Sequence, residues 1–117
     1  MIKRRDPDPL FRGVPCSMVA VGTATGAMPK RPDGMKRDGY LSLYNMNRFV
    51  RSQLVVLRMV QFQRDCRPTL KEFLDGNTRR AVICVRGHFV YADGSTYWSF
   101  QKNAKDPVVA VWYIRQS

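Results

Sequence analysis

Cys16 and His88 are the two residues of this sequence whose types suit nucleophilic chemistry. A cysteine attacks a carbonyl carbon as its thiolate, and it needs a base in hydrogen-bond reach and a third group that holds the base. His88 is the sole histidine, so any imidazole chemistry falls to it. Cys16 follows Pro15 in Val14-Pro-Cys-Ser-Met-Val, and proline is favoured in the first turn of a helix. Free backbone N–H groups and the helix dipole at such a start stabilise a thiolate, and Arg12 adds positive charge. The spacing therefore predicts a Cys16 that reacts faster than Cys66 or Cys84. Cys84, inside Val82-Ile-Cys-Val, reads as core, and Cys66 as a partly exposed bystander.

The elements around this pair follow from patterning. Residues 1–15 hold Pro7, Pro9, Gly13 and Pro15 and predict an extended lead-in to a single domain over 16–117. Residues 16–25, closed by Gly26, predict a short buried helix that Gly22 weakens. Residues 26–39 predict a mobile basic loop. Asp38 can cap a helix from about Tyr40, with Leu43, Met46, Phe49, Val50 and Gln53 on one stripe. Residues 54–63 predict a strand, and Pro68-Thr69 starts a short helix over 70–74. Strands follow at 81–86, 88–92, 95–101 and 108–114. The fold class is α+β, with N-terminal helices packed on a C-terminal antiparallel sheet of four to five strands.

Asp93-Gly94 predicts a type I′ hairpin. With those two as the loop, His88 faces Ser99, with Gln101 diagonal on the same face. Ser99 and Gln101 are thus the candidates for the group that orients the ring. Phe89, Tyr91, Trp98 and Phe100 fall on the opposite face. They read as a hydrophobic surface under a helix, or as a platform for nucleic-acid bases.

The Cys at a helix start, then Thr69-Leu-Lys-Glu-Phe-Leu, then Gly87-His88-Phe-Val-Tyr-Ala-Asp-Gly-Ser-Thr-Tyr-Trp resembles the papain-like cysteine peptidase superfamily. The nearest likeness is to its small bacteriocin-processing (C39-like) branch and to abbreviated versions in bacterial and phage genomes. The resemblance covers about half the chain. It implies a minimal papain-like fold, Cys16 as nucleophile and His88 as base. The superfamily places Asn or Asp after the His strand, where this chain offers Ser99 and Gln101. It also places Gln or Asn a few residues before the Cys as an oxyanion donor, where this chain reads Leu10-Phe-Arg-Gly-Val-Pro.

Composition bounds the rest. Across 117 residues, 20 Lys and Arg stand against 9 Asp and Glu, a net charge of +11 spread over the whole length. Such a field attracts nucleic acid, anionic lipid or an acidic protein. Arg48, Arg51, Arg64, Arg67, Arg79 and Arg80 are the candidates for contact with an anionic partner. The three cysteines have no paired spacing, so neither a metal site nor a cofactor is expected. No signal-peptide core follows Met1, and no apolar run is long enough to span a membrane, which predicts a cytoplasmic protein. Three functions fit. One is a small cysteine-dependent hydrolase or amide-bond enzyme acting on a peptide or protein. Another is an inert papain-like module that binds a protein partner, and the third is a basic nucleic-acid-binding domain. The sequence leaves the oligomeric state open.

Overall fold

The computed structural model describes residues 1–116 as an α+β domain built on one six-stranded mixed sheet. Its strands are β1 (Lys3–Arg5), β2 (Val56–Gln61), β3 (Arg80–Val85), β4 (His88–Asp93), β5 (Thr96–Trp98) and β6 (Val108–Ile114). The spatial order is β1-β5-β4-β3-β6-β2. Every neighbouring pair is antiparallel except β1 and β5, which run parallel. The sheet is therefore neither purely antiparallel nor limited to four or five strands. The additional strand comes from the lead-in, whose charged Lys-Arg-Arg forms a short edge of the kind that resists further pairing.

Three α-helices cover the two faces: α1 (Cys16–Thr25), α2 (Leu43–Gln53) and α3 (Leu70–Leu74). Side chains alternate across each strand, so β3 sends Val82 and Cys84 one way and Ala81, Ile83 and Val85 the other. The first face, with Phe89, Tyr91, Ala110 and Trp112, lies under α1 and α2. The second, with Val90, Ala92, Tyr97 and Val111, is closed by Leu70 and Leu74 of α3. The helices are thus not all N-terminal, because α3 falls between β2 and β3. Trp112 is fully buried, and its indole N–H donates to Asn47 Oδ1 of α2 at 2.9 Å.

Caps explain the helix limits. Ser42, not Asp38, caps α2, accepting from the Asn45 N–H at 3.2 Å, while Asp38 accepts from the Tyr40 N–H in the preceding turn. Thr69 and Glu72 form a capping box that starts α3 as expected. The β4–β5 hairpin turns at Gly94-Ser95, one residue later than expected. Gly94 has φ 61° and among the described residues only glycines have positive φ, so Ser95 does not, and the turn has a type II′ pattern and not type I′. No helix among the described residues is long and apolar enough to cross a membrane.

Gly22 sits in the middle of α1 because Phe11 of the lead-in packs against it. A Cβ there would stand 2.5 Å from the Phe11 ring and 3.1 Å from the Ala27 carbonyl oxygen. Gly22→Ala should gain about 1 kcal/mol of helix propensity and lose more to overpacking, which typically costs about 1–3 kcal/mol. Urea unfolding should show net destabilisation. A more stable variant would mean that the Phe11 contact is loose.

Candidate active site

Cys16 is the first residue of α1, with Pro15 as its cap. The Pro15 carbonyl accepts from the N–H groups of Met18 and Val19 at 2.9 and 3.0 Å. The N–H groups of Cys16 and Ser17 are the helix's unsatisfied first donors, and both act on the Cys16 sulfur. A third donor to that sulfur is the backbone N–H of Phe89. Strand register accounts for it. His88 pairs with Val85 across a tight turn, which directs the next N–H, that of Phe89, toward β5. Continued pairing would set Phe100 opposite Phe89. Instead β5 ends at Trp98, and the Ser99 N–H turns to the Arg5 carbonyl at 3.1 Å. The gap leaves Phe89 facing the thiol.

His88 opens β4, half-buried, and its Nε2 lies 3.0 Å from Ser99 Oγ. Ser99 Oγ donates to Asn103 Oδ1 at 2.7 Å, and Asn103 Nδ2 donates to Asp106 Oδ2 at 2.8 Å. Ser99 and Asn103 are both buried. The chain of bonds has one direction. A carboxylate only accepts, so the Asn103 amide turns its NH₂ to Asp106 and its oxygen to Ser99. Ser99 therefore spends its single proton on Asn103. Toward His88 it can only accept, so Nε2 carries the imidazole proton and Nδ1 is the free basic nitrogen. Burial holds the His88 pKa below the ordinary 6.5, and the Asp106 charge opposes that only in part.

Two cavities meet at this pair. One, of about 320 Å³, is walled by Val14, Val19, Trp98 and Phe100. The other, of about 430 Å³, extends past Asp38, Tyr40 and Leu43. Cys16, Gly87, His88 and Phe89 line both. The hydrogen bond of the imidazole goes to Ser99, and none joins the ring to Cys16.

The thiol itself departs from expectation. Burial pushes the Cys16 pKa up, and the three backbone N–H groups offset only part of that. The helix start is present, but desolvation outweighs it, so Cys16 rests as a thiol. Cys84, on β3 beneath it, is pushed up to about 12 by burial and by the neighbouring Cys16, against a smaller opposing effect of Arg67.

Ser99 is on the expected face although the hairpin register is shifted: Tyr91 lies opposite Trp98, so Ser99 is diagonal to His88 and not directly across. Gln101 is exposed beyond the end of β5. Its backbone N–H, and not its side chain, reaches Ser99 Oγ at 3.1 Å. Asn103 and Asp106 join the candidate site, and sequence reasoning misses them. Their one signal is an Asn-x-x-Asp-Pro turn directly after the strand bearing Ser99. Phe89, Tyr91 and Trp98 pack beneath α1, with the Tyr91 and Trp98 rings 5.2 Å apart. Phe100 leaves that face and lies 4.8 Å from the Arg12 guanidinium.

The six arginines do not converge. Arg48 and Arg51 are exposed on α2, and Arg64 is exposed after β2. Arg67 is half-buried, its Nε without a partner. Arg79 lies over Tyr113, whose ring neighbours Phe73 on the α3 side of the sheet. Arg80 is a strut. It donates to Tyr91 Oη, the Ala24 carbonyl and the Arg115 carbonyl at 2.7, 2.8 and 2.7 Å. Among the described residues no group of three His, Cys, Asp or Glu side chains could hold a metal ion.

No family model matches this chain, and no curated protein or solved structure shows similarity to it.

Exposure and pKa together reorder the cysteines. Iodoacetamide at neutral pH should modify exposed Cys66 first, Cys16 second and buried Cys84 last, as read by site-resolved mass spectrometry. Cys16 reacting ahead of Cys66 would show a thiolate that this desolvated site does not favour.

Proposed function

We propose that the chain is a small cysteine-dependent hydrolase of papain-like build that cleaves an amide bond in a peptide or protein, with Cys16 as nucleophile and His88 as base. The observation that carries the reading is the chain from His88 through Ser99 and Asn103 to Asp106. It fixes the tautomer with Nδ1 unprotonated, while burial keeps the ring neutral, beside two cavities that the thiol also lines. A purely structural histidine has no need of a three-residue support, two members of it buried, that fixes its tautomer. The order of parts also agrees with a minimal papain-like site: a Cys at a helix start, a His at the head of a strand, and a polar support after the next strand.

In this reading Nδ1 takes the Cys16 proton as Sγ attacks the carbonyl carbon. The oxygen gains negative charge near the helix-start N–H groups of Cys16 and Ser17, which replace the amide side chain missing from residues 10–15. The imidazolium returns its proton to the departing amine, leaving a thioester. Water, deprotonated by Nδ1, then releases the acid and restores the thiol. Because thiol and imidazole both rest neutral, no ion pair is preformed, and turnover is slow. The three free thiols suit a reducing, cytoplasmic setting. The raised thiol pKa also favours the second reading, an inert module that binds a protein through the same cavities.

A peptidyl vinyl sulfone separates the two. Labelling should concentrate on Cys16 and fall about 100-fold or more in His88→Ala, the usual contribution of a general base. Ser99→Ala and Asn103→Ala should cost less, because they bias the ring without removing it. The acid limb of the rate should lie below pH 6.5, since a protonated ring cannot accept the thiol proton. Labelling of Cys16 that is indifferent to His88→Ala would leave the binding module as the correct reading.

A further inference from the structure

A second feature lies away from the Cys16 cavities and shares no residue with them. It is a cavity of about 230 Å³ between residues 30–33 and α2, walled by Lys30, Arg31, Arg48, Asn45 and Gln53, with Asp33 as its one carboxylate. Residues 26–53 carry six Lys and Arg against two Asp, and α2 itself has no acidic residue. Among the described residues the sole ion pair is Arg4 with Asp6, so Lys30, Arg31 and Arg48 have no carboxylate partner.

The cavity is a built feature of the fold. The Arg31 guanidinium is fixed by the Lys36 carbonyl at 3.0 Å. The loop crosses α2 at Gly34, with φ 80°, where any side chain would collide with the Asn45 amide. Two tyrosines flank it in the open. Tyr44 is 71% exposed with the Arg48 guanidinium 5.9 Å from its ring centre, and Tyr40 is 59% exposed with Lys36 Nζ at 5.7 Å. Exposed aromatic rings alternating with unpaired cations match a strand of flat bases joined by phosphates. An acidic peptide would use the charge and leave the rings unexplained.

We propose that this face, formed by the 26–39 loop and α2, binds single-stranded nucleic acid, with phosphate held between Lys30, Arg31 and Arg48 and a base stacked on Tyr44. Tyr40 at the edge of this face also lines the larger Cys16 cavity, but Lys30, Arg31, Arg48 and Tyr44 line neither Cys16 cavity, so the proposed contacts need no cysteine chemistry.

The test is fluorescence anisotropy with a labelled oligothymidylate of about fifteen nucleotides. Affinity should fall steeply between about 50 and 200 mM salt. The Arg31→Gln/Arg48→Gln double variant should lower the salt slope by about 1.4, because each phosphate neutralised on a single strand accounts for about 0.7. Tyr44→Ala should weaken binding about fivefold or more, and Cys16→Ala should bind like the unaltered protein. Both arginines and Tyr44 are outside the buried core, and circular dichroism checks that the variants fold. If the double variant does not fold, the salt slope and Tyr44→Ala decide the matter. No binding at about 50 mM salt overturns the proposal. So does binding that is indifferent to Tyr44→Ala or to the paired charges. Capture by phosphatidylserine vesicles without any by the oligonucleotide would assign the face to a lipid surface and overturn it as well.

Discussion

The hydrogen bond from the Asn103 amide to the Asp106 carboxylate sets the direction of every proton between it and the His88 ring. A carboxylate cannot donate, so the amide orientation, the Ser99 hydroxyl and the imidazole tautomer all follow from that one contact. The Ser99 and Asn103 polar atoms are out of water, where an unmatched donor or acceptor costs about 1–3 kcal/mol. That penalty rigidifies the site. The same burial lowers the affinity of the imidazole for a second proton, leaving a neutral base with its free nitrogen on the side away from Ser99.

The second constraint is where β5 stops. Had it continued to pair with β4, Phe100 would have consumed the Phe89 N–H, and Ser99 would have been an ordinary strand residue. The edge strand β1 pairs along the other side of β5, and its Arg5 carbonyl accepts the Ser99 N–H. The residues ahead of Cys16 therefore shape the site twice. They brace the outer side of β5, and Phe11 packs against Gly22 of α1. The cost appears at the thiol: packing α1 closely over Phe89 and Cys84 removes water from Cys16 and raises its pKa.

Local chemistry makes much of this legible in sequence. Pro15 marks the start of α1, Thr69 with Glu72 marks α3, and the β-branched runs mark β3, β4 and β6. Strand alternation puts Ser99 on the His88 face even though the turn lies one residue later, because a two-residue change in pairing preserves the face. What the sequence hides is non-local. Lys3–Arg5 reads as a charged tail until β5 offers it a partner. Asn103 and Asp106 read as turn residues until the turn folds back beneath Ser99. Arg80 reads as a surface charge until three separate segments present acceptors to it. The thiol pKa runs against the sequence-based expectation because helix-start position is visible in sequence and desolvation is not.

A single histidine makes the central claim directly measurable. Long-range ¹H–¹⁵N correlation spectroscopy on uniformly ¹⁵N-labelled protein reports which imidazole nitrogen of His88 carries the proton. The expected result at neutral pH is one tautomer, protonated at Nε2, titrating below 6.5 and passing to a mixture of tautomers in Asn103→Ala. A ring protonated at Nδ1 would contradict the account, because Ser99 would then be the donor, and one titrating above 6.5 would contradict it because burial would not be holding the ring neutral.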